Sequence, residues 1–254
     1  NKTSFTLKAP LVIDAGGRNA LSLKKLGLKK ESGGNAKIAM AAHWQGAKIA
    51  DDYCYMHVSH PGYTGISSVG KDRSNLVLVV NRQAMQGKKP DTFYLDAVMQ
   101  NSHRRKILQD AECIESVRAI ESLAFSVKPV TCGGLLLVGD AMGFIDPFTG
   151  EGIYLSLRSS EIAVDVADKA FKKTDWSNEV LKDYEVRRKQ EFDKKFLLSR
   201  IFQKLIYSRF FCDRVVRALQ RKPELAETLV GVIGDLSPAQ TAVSLKFLLR
   251  LMSA

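Results

Sequence analysis

The sequence predicts a mixed fold, α+β or α/β, that combines an open sheet, an antiparallel sheet and a helical region. Two short apolar runs, at residues 11–13 and 135–138, each end in a turn that contains glycine, as strands do at the carboxyl edge of an open sheet. Between them, residues 36–84 alternate short apolar segments with turns, a pattern typical of antiparallel strands. From residue 151 onwards apolar residues recur at helical spacing, so the last part of the chain is expected to be helical.

Composition excludes several classes of protein. The chain has 254 residues, 45% hydrophobic and 26% charged, which argues against a disordered, collagenous or coiled-coil protein. Its apolar runs fall far short of the roughly 20 residues that cross a bilayer, and its first residues carry no apolar signal core. Four widely separated cysteines argue against a zinc ribbon or a disulfide framework and fit a reducing cytoplasm. The formal charge of +11 leaves an anionic partner open, whether nucleic acid, lipid headgroup or phosphorylated ligand.

The individual elements follow from local patterns along the chain. Strands are expected where turn residues bound short apolar runs, at 11–13, 38–44, 53–58, 65–69, 76–80, 124–130 and 135–138. Helices are expected where apolar residues recur every three or four positions, at 91–109, 112–115, 151–171, 180–221 (one long helix or a pair) and from residue 223 onwards. Residues 24–34 are basic and glycine-rich and are predicted to form a loop.

The segment 135–154 carries the most specific chemical signal. Its strand brings Gly139 and Asp140 to a sheet edge, where a glycine lets a ligand approach the backbone and an aspartate accepts hydrogen bonds from sugar-like hydroxyls. Pro147 stiffens the next loop. Gly150 and Gly152 then open a helix without obstructing side chains, so that its free N–H groups can face an electron-rich ligand. The segment predicts an anion or polyol at a helix N-terminus; the alternative is a capped helix whose glycines serve only the turn.

Several segments resemble one known family. Residues 139–153, followed by 158–163, resemble the C-terminal flavin motif of the geranylgeranyl reductase family of FAD-dependent oxidoreductases, which belongs with aromatic hydroxylases, squalene epoxidases and flavin halogenases. Residues 12–18 resemble the middle motif of this group, and residues 60–63 resemble the Pro-Gly-Tyr segment of the family's substrate domain. The tail at 223–251 also resembles that of the family.

The resemblance implies roles for individual residues. Gly139 and Asp140 are expected to contact the ribityl and pyrophosphate part of FAD, with Gly143 and Phe144 along the same portion and Pro147 beside the isoalloxazine ring. The residues expected to present backbone amides to the pyrimidine edge of the ring are Gly150, Glu151, Gly152 and Ile153. Those expected to line the cofactor from the middle motif are Gly16, Gly17 and Arg18. Tyr63 is expected in the sheet that roofs the substrate cavity, and no catalytic residue is assigned.

The sequence departs from the family pattern at three places. It contains no G-x-G-x-x-G fingerprint, so we expect this chain to be the C-terminal part of a longer polypeptide whose N-terminal flavin-binding segment is missing. Gly16 stands where many hydroxylases carry an acid, and Ala20 where a serine is common, which disfavours a hydroxylase. The segment after Tyr63 lacks the aromatic residue and the proline of a typical reductase, and the Trp-x-Trp pattern of tryptophan halogenases is absent, so the substrate stays open.

We therefore predict part of an FAD-binding Rossmann-like domain at 1–30 and 126–171, an inserted antiparallel-sheet substrate domain at 31–125, and a helical C-terminal region at 172–254. The expected function is that of an FAD-dependent oxidoreductase, with NAD(P)H or a ferredoxin-type protein as electron donor, acting on carbon–carbon double bonds of an isoprenoid or other apolar substrate. In this interpretation the flavin carries the chemistry. The alternatives are a monooxygenase or halogenase-like enzyme and a non-catalytic flavoprotein fragment.

The basic C-terminal helices predict a second kind of contact. Between residues 169 and 222 there are 16 Lys or Arg against 7 Asp or Glu, a difference of +9. A basic amphipathic helix of this kind favours peripheral contact with an anionic membrane surface. Nucleic-acid binding has only charge in its favour and is not expected. His57 and His60 have poor spacing for ligands, and no metal site is predicted.

Overall fold

The structure is a computed structural model, and it describes residues 6–31, 37–121, 123–144 and 147–252. The chain forms two compact units. The first, called the helical unit here, comprises the described residues within 1–30, 125–205 and 209–254. The second, the sheet unit, comprises those within 31–124 together with 206–208. The division into three domains, with a separate helical region at 172–254, stays a prediction.

Strands and helices alternate irregularly along the chain. The strands of the described residues are β1 Val12–Asp14, β2 Lys29–Glu31, β3 Lys37–Gln45, β4 Cys54–Ser59, β5 Gly62–Ser68, β6 Arg73–Asn81, β7 Glu112–Cys113, β8 Arg118–Glu121, β9 Phe125–Val127 and β10 Leu135–Leu137. The helices are α1 Leu21–Lys25, α2 Pro90–Gln100, α3 Ser102–Leu108, α4 Gly152–Lys173, α5 Asn178–Ile206, α6 Arg209–Arg221, α7 Pro223–Ile233, α8 Ala239–Val243 and α9 Leu245–Met252. None of these helices combines the length and the apolar character needed to cross a membrane.

The helical unit is organised around a parallel strand pair. β1 and β10 pair in parallel with Ile13 opposite Leu136. The all-apolar β10 is buried against α4 and α5, since parallel strands need cover on their faces. Tyr184 of α5 donates a hydrogen bond from its hydroxyl to the carbonyl oxygen of Leu137. The helices α6 to α9 and the end of α5 enclose a second apolar cluster around Ala218 and Leu225.

The sheet unit is an antiparallel sheet with the strand order β4-β5-β6-β3-β7, in which β8 also pairs with β3. Its core packs Met40 and Leu78 of the sheet against Tyr94 and Val98 of α2. Arg104 of α3 is buried, and its guanidinium donates hydrogen bonds to the carbonyl oxygens of Ala97 and Val98, both at 3.0 Å. It also donates to the hydroxyl of Ser59 at 3.0 Å, which fastens the helices to the sheet.

The predicted mixed α+β class is confirmed, and three local predictions are wrong. Residues 112–115 do not form a helix, because Glu112–Cys113 pairs with β3 as β7 and tertiary pairing overrides the short helical pattern. The predicted loop at 24–34 contains the end of α1 and strand β2. The predicted helix at 91–109 is broken at Asn101, whose side chain caps α3 by accepting hydrogen bonds from the backbone N–H groups of His103 and Arg104.

Candidate functional site

The parallel pairing of β1 and β10 brings two of the predicted motifs together. Each strand runs into a turn at the same edge of the sheet: Gly17–Asn19 after β1, and Gly139–Met142 after β10. The two turns pack against each other, and the backbone N–H of Val138 donates to the carbonyl oxygen of Asp14 at 3.2 Å. The carboxyl edge of parallel strands is where open α/β sheets bind ligands, so the pair defines a candidate ligand site.

Asp14 shapes the first turn, a role that the sequence analysis missed. Its carboxylate accepts hydrogen bonds from the backbone N–H of Gly16 at 2.9 Å, the backbone N–H of Ser22 at 3.0 Å, and the Ser22 hydroxyl. Burial alone would raise the pKa of Asp14, but these hydrogen bonds hold it below its usual value. The ionised carboxylate thus fixes the backbone that positions Gly17 and Arg18.

Asp140 is the half-buried carboxylate of the second turn. Burial raises its pKa, and the positive charge of Arg18 opposes that rise, so the two motifs meet electrostatically. Within the described residues, no donor forms a hydrogen bond to the Asp140 side chain. Since buried polar groups are normally hydrogen-bonded, this carboxylate suits the hydroxyl groups of a bound ligand.

Gly139 has a structural role in addition to the predicted one. Its backbone has φ +58°, and a Cβ at this position would lie 2.8 Å from the hydroxyl oxygen of Ser156 in α4. Its backbone N–H donates to the hydroxyl of Ser159 at 2.8 Å. The glycine therefore lets the turn pack closely on α4, and its predicted contact with a ligand stays a prediction. Phe144 is held by paired backbone hydrogen bonds to Phe125 of β9, at 2.8 and 3.1 Å.

The N-terminus of α4 opens onto free space. After the short turn Pro147–Thr149, a Cβ at Gly150 or at Gly152 would meet no atom within 4 Å, and the Ile153 side chain is 78% exposed. The backbone N–H groups of Gly152 and Ile153 have no acceptor within the described residues, because the first hydrogen bond of the helix runs from the N–H of Leu155 to the carbonyl oxygen of Glu151. The positive end of a 22-residue helix is thus available to an electron-rich ligand.

A cavity of about 220 Å³ lies beside this turn. Its lining combines the turn with one side of α5: Phe144, Pro147, Thr149, Gly150, Glu151, Gly152, Ile153, Leu155, Lys195, Phe196 and Ser199. The Glu151 side chain is buried in an ion pair with Lys195 at 2.9 Å, so only its backbone is available to a ligand. Lys195 was not among the predicted site residues. The signal that could have identified it is its position between Phe192 and Phe196, on the apolar side of a predicted helix.

Tyr63 belongs to the sheet unit, and the other predicted site residues belong to the helical unit. It is buried in β5, where it pairs with Val58 and Val79. Strand alternation places it on the sheet face opposite Thr64, which contacts Arg104. Its contact with a substrate stays a prediction.

The fold is that of FAD-binding flavoproteins with an inserted sheet. It has a parallel strand pair, each strand of which ends in a turn at the candidate ligand site, and an antiparallel sheet in the chain between the two strands. Residues 1–192 match the family model for an FAD binding domain. The chain belongs to this family.

Similar proteins support this assignment. A digeranylgeranylglycerophospholipid reductase of Methanocaldococcus jannaschii is 30% identical over 235 residues, which are 90% of this chain and 58% of the relative. One of Thermoplasma acidophilum is 26% identical over 202 residues, which are 78% of this chain and 50% of the relative. The chain therefore spans about half the length of these relatives.

Two solved structures are similar in fold. A geranylgeranyl bacteriochlorophyll reductase-like protein of Thermoplasma acidophilum has a TM-score of 0.70 at 22% identity, over 97% of this chain and 59% of that one. A flavin-dependent brominase has a TM-score of 0.77 at 17% identity, over 89% and 57%. These structures confirm the fold, and the relatives confirm the predicted resemblance to the geranylgeranyl reductase family.

FAD is the cofactor of this family, and the residues of the site fit it. The Asp140 carboxylate is free to accept hydrogen bonds from ribityl hydroxyls, and the open N-terminus of α4 complements the electron-rich edge of the isoalloxazine ring. The contacts of individual residues with FAD are proposals.

Proposed function

We propose that this chain is part of an FAD-dependent oxidoreductase that reduces carbon–carbon double bonds of an isoprenoid or other apolar substrate. The observation that carries the proposal is the open N-terminus of α4 beside the paired turns of β1 and β10. The relatives named digeranylgeranylglycerophospholipid reductase support the reaction class and an apolar substrate. Reducing equivalents come from NAD(P)H or a ferredoxin-type protein.

The residues of the chain bind and orient the cofactor in this proposal. When bound, FAD supplies the hydride chemistry. The Asp140 carboxylate accepts hydrogen bonds from the ribityl chain, and Arg18 beside it provides positive charge toward the pyrophosphate. The backbone N–H groups of Gly152 and Ile153, at the positive end of α4, stabilise negative charge on the pyrimidine edge of the reduced ring.

The face of the sheet that carries Tyr63 supports an apolar substrate. Strand alternation places Gly65 on the same face, and the pairing of β3 with β6 places Ala39 and Ala41 there, opposite Val79 and Val77. Gly65, Ala41 and Val77 are partly exposed, and these small side chains leave room for an isoprenoid chain along the middle of the sheet, while Tyr63 itself is buried. The halogenase-like alternative rests on structural neighbours below 25% identity, which support the fold alone.

A stopped-flow experiment separates the two enzyme classes. The protein is loaded with FAD, reduced anaerobically with NADPH or dithionite, and mixed with either an unsaturated isoprenoid glycerophospholipid or oxygen plus bromide. Flavin reoxidation by the lipid without oxygen, with a saturated lipid product, supports the reductase. Reoxidation only by oxygen, with bromination of an aromatic acceptor, supports the alternative. A chain that retains no FAD contradicts both and favours a non-catalytic fragment.

We also propose that a further flavin-binding segment covers strand β1. Val12 is 52% exposed and Ile13 is 44% exposed, although parallel strands are normally buried on both faces. In the described residues β1 pairs on one side only, with β10. A segment with a dinucleotide fingerprint supplied in trans is expected to tighten FAD binding, whereas unchanged affinity argues against it.

Peripheral membrane contact through the C-terminal helices is a third proposal. Phe210 and Phe211 of α6 are exposed, and the same helix carries Arg209 and Arg217. The helix therefore combines apolar and cationic groups, as interfacial helices do. Sedimentation with anionic vesicles is expected to fall at high salt and on replacing both phenylalanines by serine. Leu26→Ser, an exposed leucine near the other end of the chain, is the control. Equal sedimentation with zwitterionic vesicles contradicts the proposal.

A further inference from the structure

A cluster of three charges, two of them buried, lies directly behind the predicted flavin turn. Lys195 of α5 is only 7% exposed, and its ammonium donates hydrogen bonds to the carboxylates of Glu151, at 2.9 Å, and Asp235. It also lies over the ring of Tyr154, 4.6 Å from the centroid. Burial alone would lower the pKa of Lys195, but the two carboxylates raise it above its usual value, so the group is a full cation.

The cluster joins three separate segments of the helical unit. Glu151 is the residue before α4, in the turn that lines the cavity of about 220 Å³. Asp235 follows α7, in the link to α8 that borders a second cavity of about 420 Å³. Lys195 lines both cavities, so its side chain is a polar connection between the turn and the C-terminal helices.

The charges also bear on what the turn can bind. With Lys195 in place the cluster has a net charge of −1, because one cation faces two carboxylates. Without Lys195, the carboxylates of Glu151 and Asp235 remain in a poorly hydrated site with no opposite charge. Because Glu151 lies at the N-terminus of α4, these carboxylates oppose any negative charge that a ligand brings to that helix end. Loss of the cation also removes the hydrogen bond that anchors the Glu151 side chain, and with it one restraint on the turn.

We propose that Lys195 is a positioning residue for the flavin site. Lys195 holds the Gly150–Ile153 backbone through Glu151 and makes the C-terminal helices part of the cofactor site. The inference rests on the proposed assignment of this turn to FAD. It places a structural contribution to cofactor binding in residues 195 and 235, outside both flavin motifs.

The experiment compares the wild-type protein with Lys195→Met, Lys195→Arg and Lys169→Met. Lys169 is the matched control because it is also a lysine in an ion pair, but an exposed one, which joins α4 to Asp183 of α5. For each protein we measure the dissociation constant of FAD by fluorescence, the midpoint potential of the bound flavin, and the unfolding free energy of the apoprotein.

Lys195→Met is expected to weaken FAD binding by about two- to thirtyfold, the range for residues that act on a ligand through a shared network. It is also expected to shift the flavin potential to more negative values, because the site becomes more anionic. Lys195→Arg restores most of both properties, and Lys169→Met leaves both unchanged. Lower apoprotein stability with unchanged affinity and potential overturns this inference alone. A wild-type protein that binds no FAD overturns the proposed function and this inference with it.

Discussion

Replacing Gly139 by alanine tests whether the turn after β10 depends on its close approach to α4. The new Cβ would lie 2.8 Å from the Ser156 hydroxyl oxygen, which is itself held by a hydrogen bond to the Gly152 carbonyl oxygen at 2.9 Å. Overpacking of this kind costs about 1–3 kcal/mol. The left-handed backbone, with φ +58°, adds about 1–2 kcal/mol for a residue with a Cβ. The expected loss is therefore about 2–5 kcal/mol of unfolding free energy.

Urea unfolding of the apoprotein, followed by circular dichroism, measures this loss against a matched control. Gly150 also has a left-handed backbone, with φ +74°, but an added Cβ there meets nothing within 4 Å, so Gly150→Ala is expected to cost only about 1–2 kcal/mol. Combining Gly139→Ala with Ser156→Ala removes the oxygen at 2.8 Å and is expected to recover the overpacking part. If Gly139→Ala costs no more than Gly150→Ala, close packing on α4 is not what position 139 requires.

Three further predictions concern single side chains. Asp140→Ala is expected to weaken FAD binding by about tenfold or more, since a hydrogen bond to a charged group contributes about 1.5–3 kcal/mol; equal dissociation constants would count against the site. Asp14→Asn is expected to lower stability at pH 7. Because the folded-state pKa of Asp14 lies below its usual value, its contribution is present above the unfolded-state pKa and is lost as the pH falls through the folded-state pKa. Urea unfolding from pH 7 to pH 2 should therefore show a shallower acid loss in the variant, and parallel curves contradict this. Asn101→Ala removes the cap of α3 and is expected to cost about 1 kcal/mol of unfolding free energy, with Asn101→Asp retaining most of it; a loss below about 0.3 kcal/mol in the alanine variant contradicts the capping role.

Local patterns in the sequence were sufficient to predict the strand and helix that carry the site. The run of leucines at 135–137 ends in Gly139 and Asp140, and Gly150 to Gly152 precede a clear helical stripe, so strand, turn and helix are all locally encoded. The same holds for most strands of the sheet unit, whose apolar runs are bounded by turns.

What the sequence analysis missed depends on contacts between distant residues. The two-residue strand β7 exists only because β3 offers it a partner, and Lys195 reads as one more basic residue until folding places Glu151 and Asp235 around it. The role of Asp14 was hidden because Ser22, its main partner, lies in a segment predicted as neither strand nor helix. At Gly139 the position was identified but its packing role was not, since the contact with Ser156 spans 17 residues.

We propose that the turns after β1 and β10 and the N-terminus of α4 form the FAD site. A titration with FAD, followed by flavin fluorescence, tests it most directly on the wild-type protein, Asp140→Ala and Asp168→Ala. Asp168 lies on α4 in an exposed pair with Lys172 and serves as the matched carboxylate. We expect saturable binding by the wild type, unchanged binding by Asp168→Ala, and binding weaker by about tenfold or more in Asp140→Ala. Equal dissociation constants for all three proteins would contradict the assignment of this edge of the sheet to the cofactor.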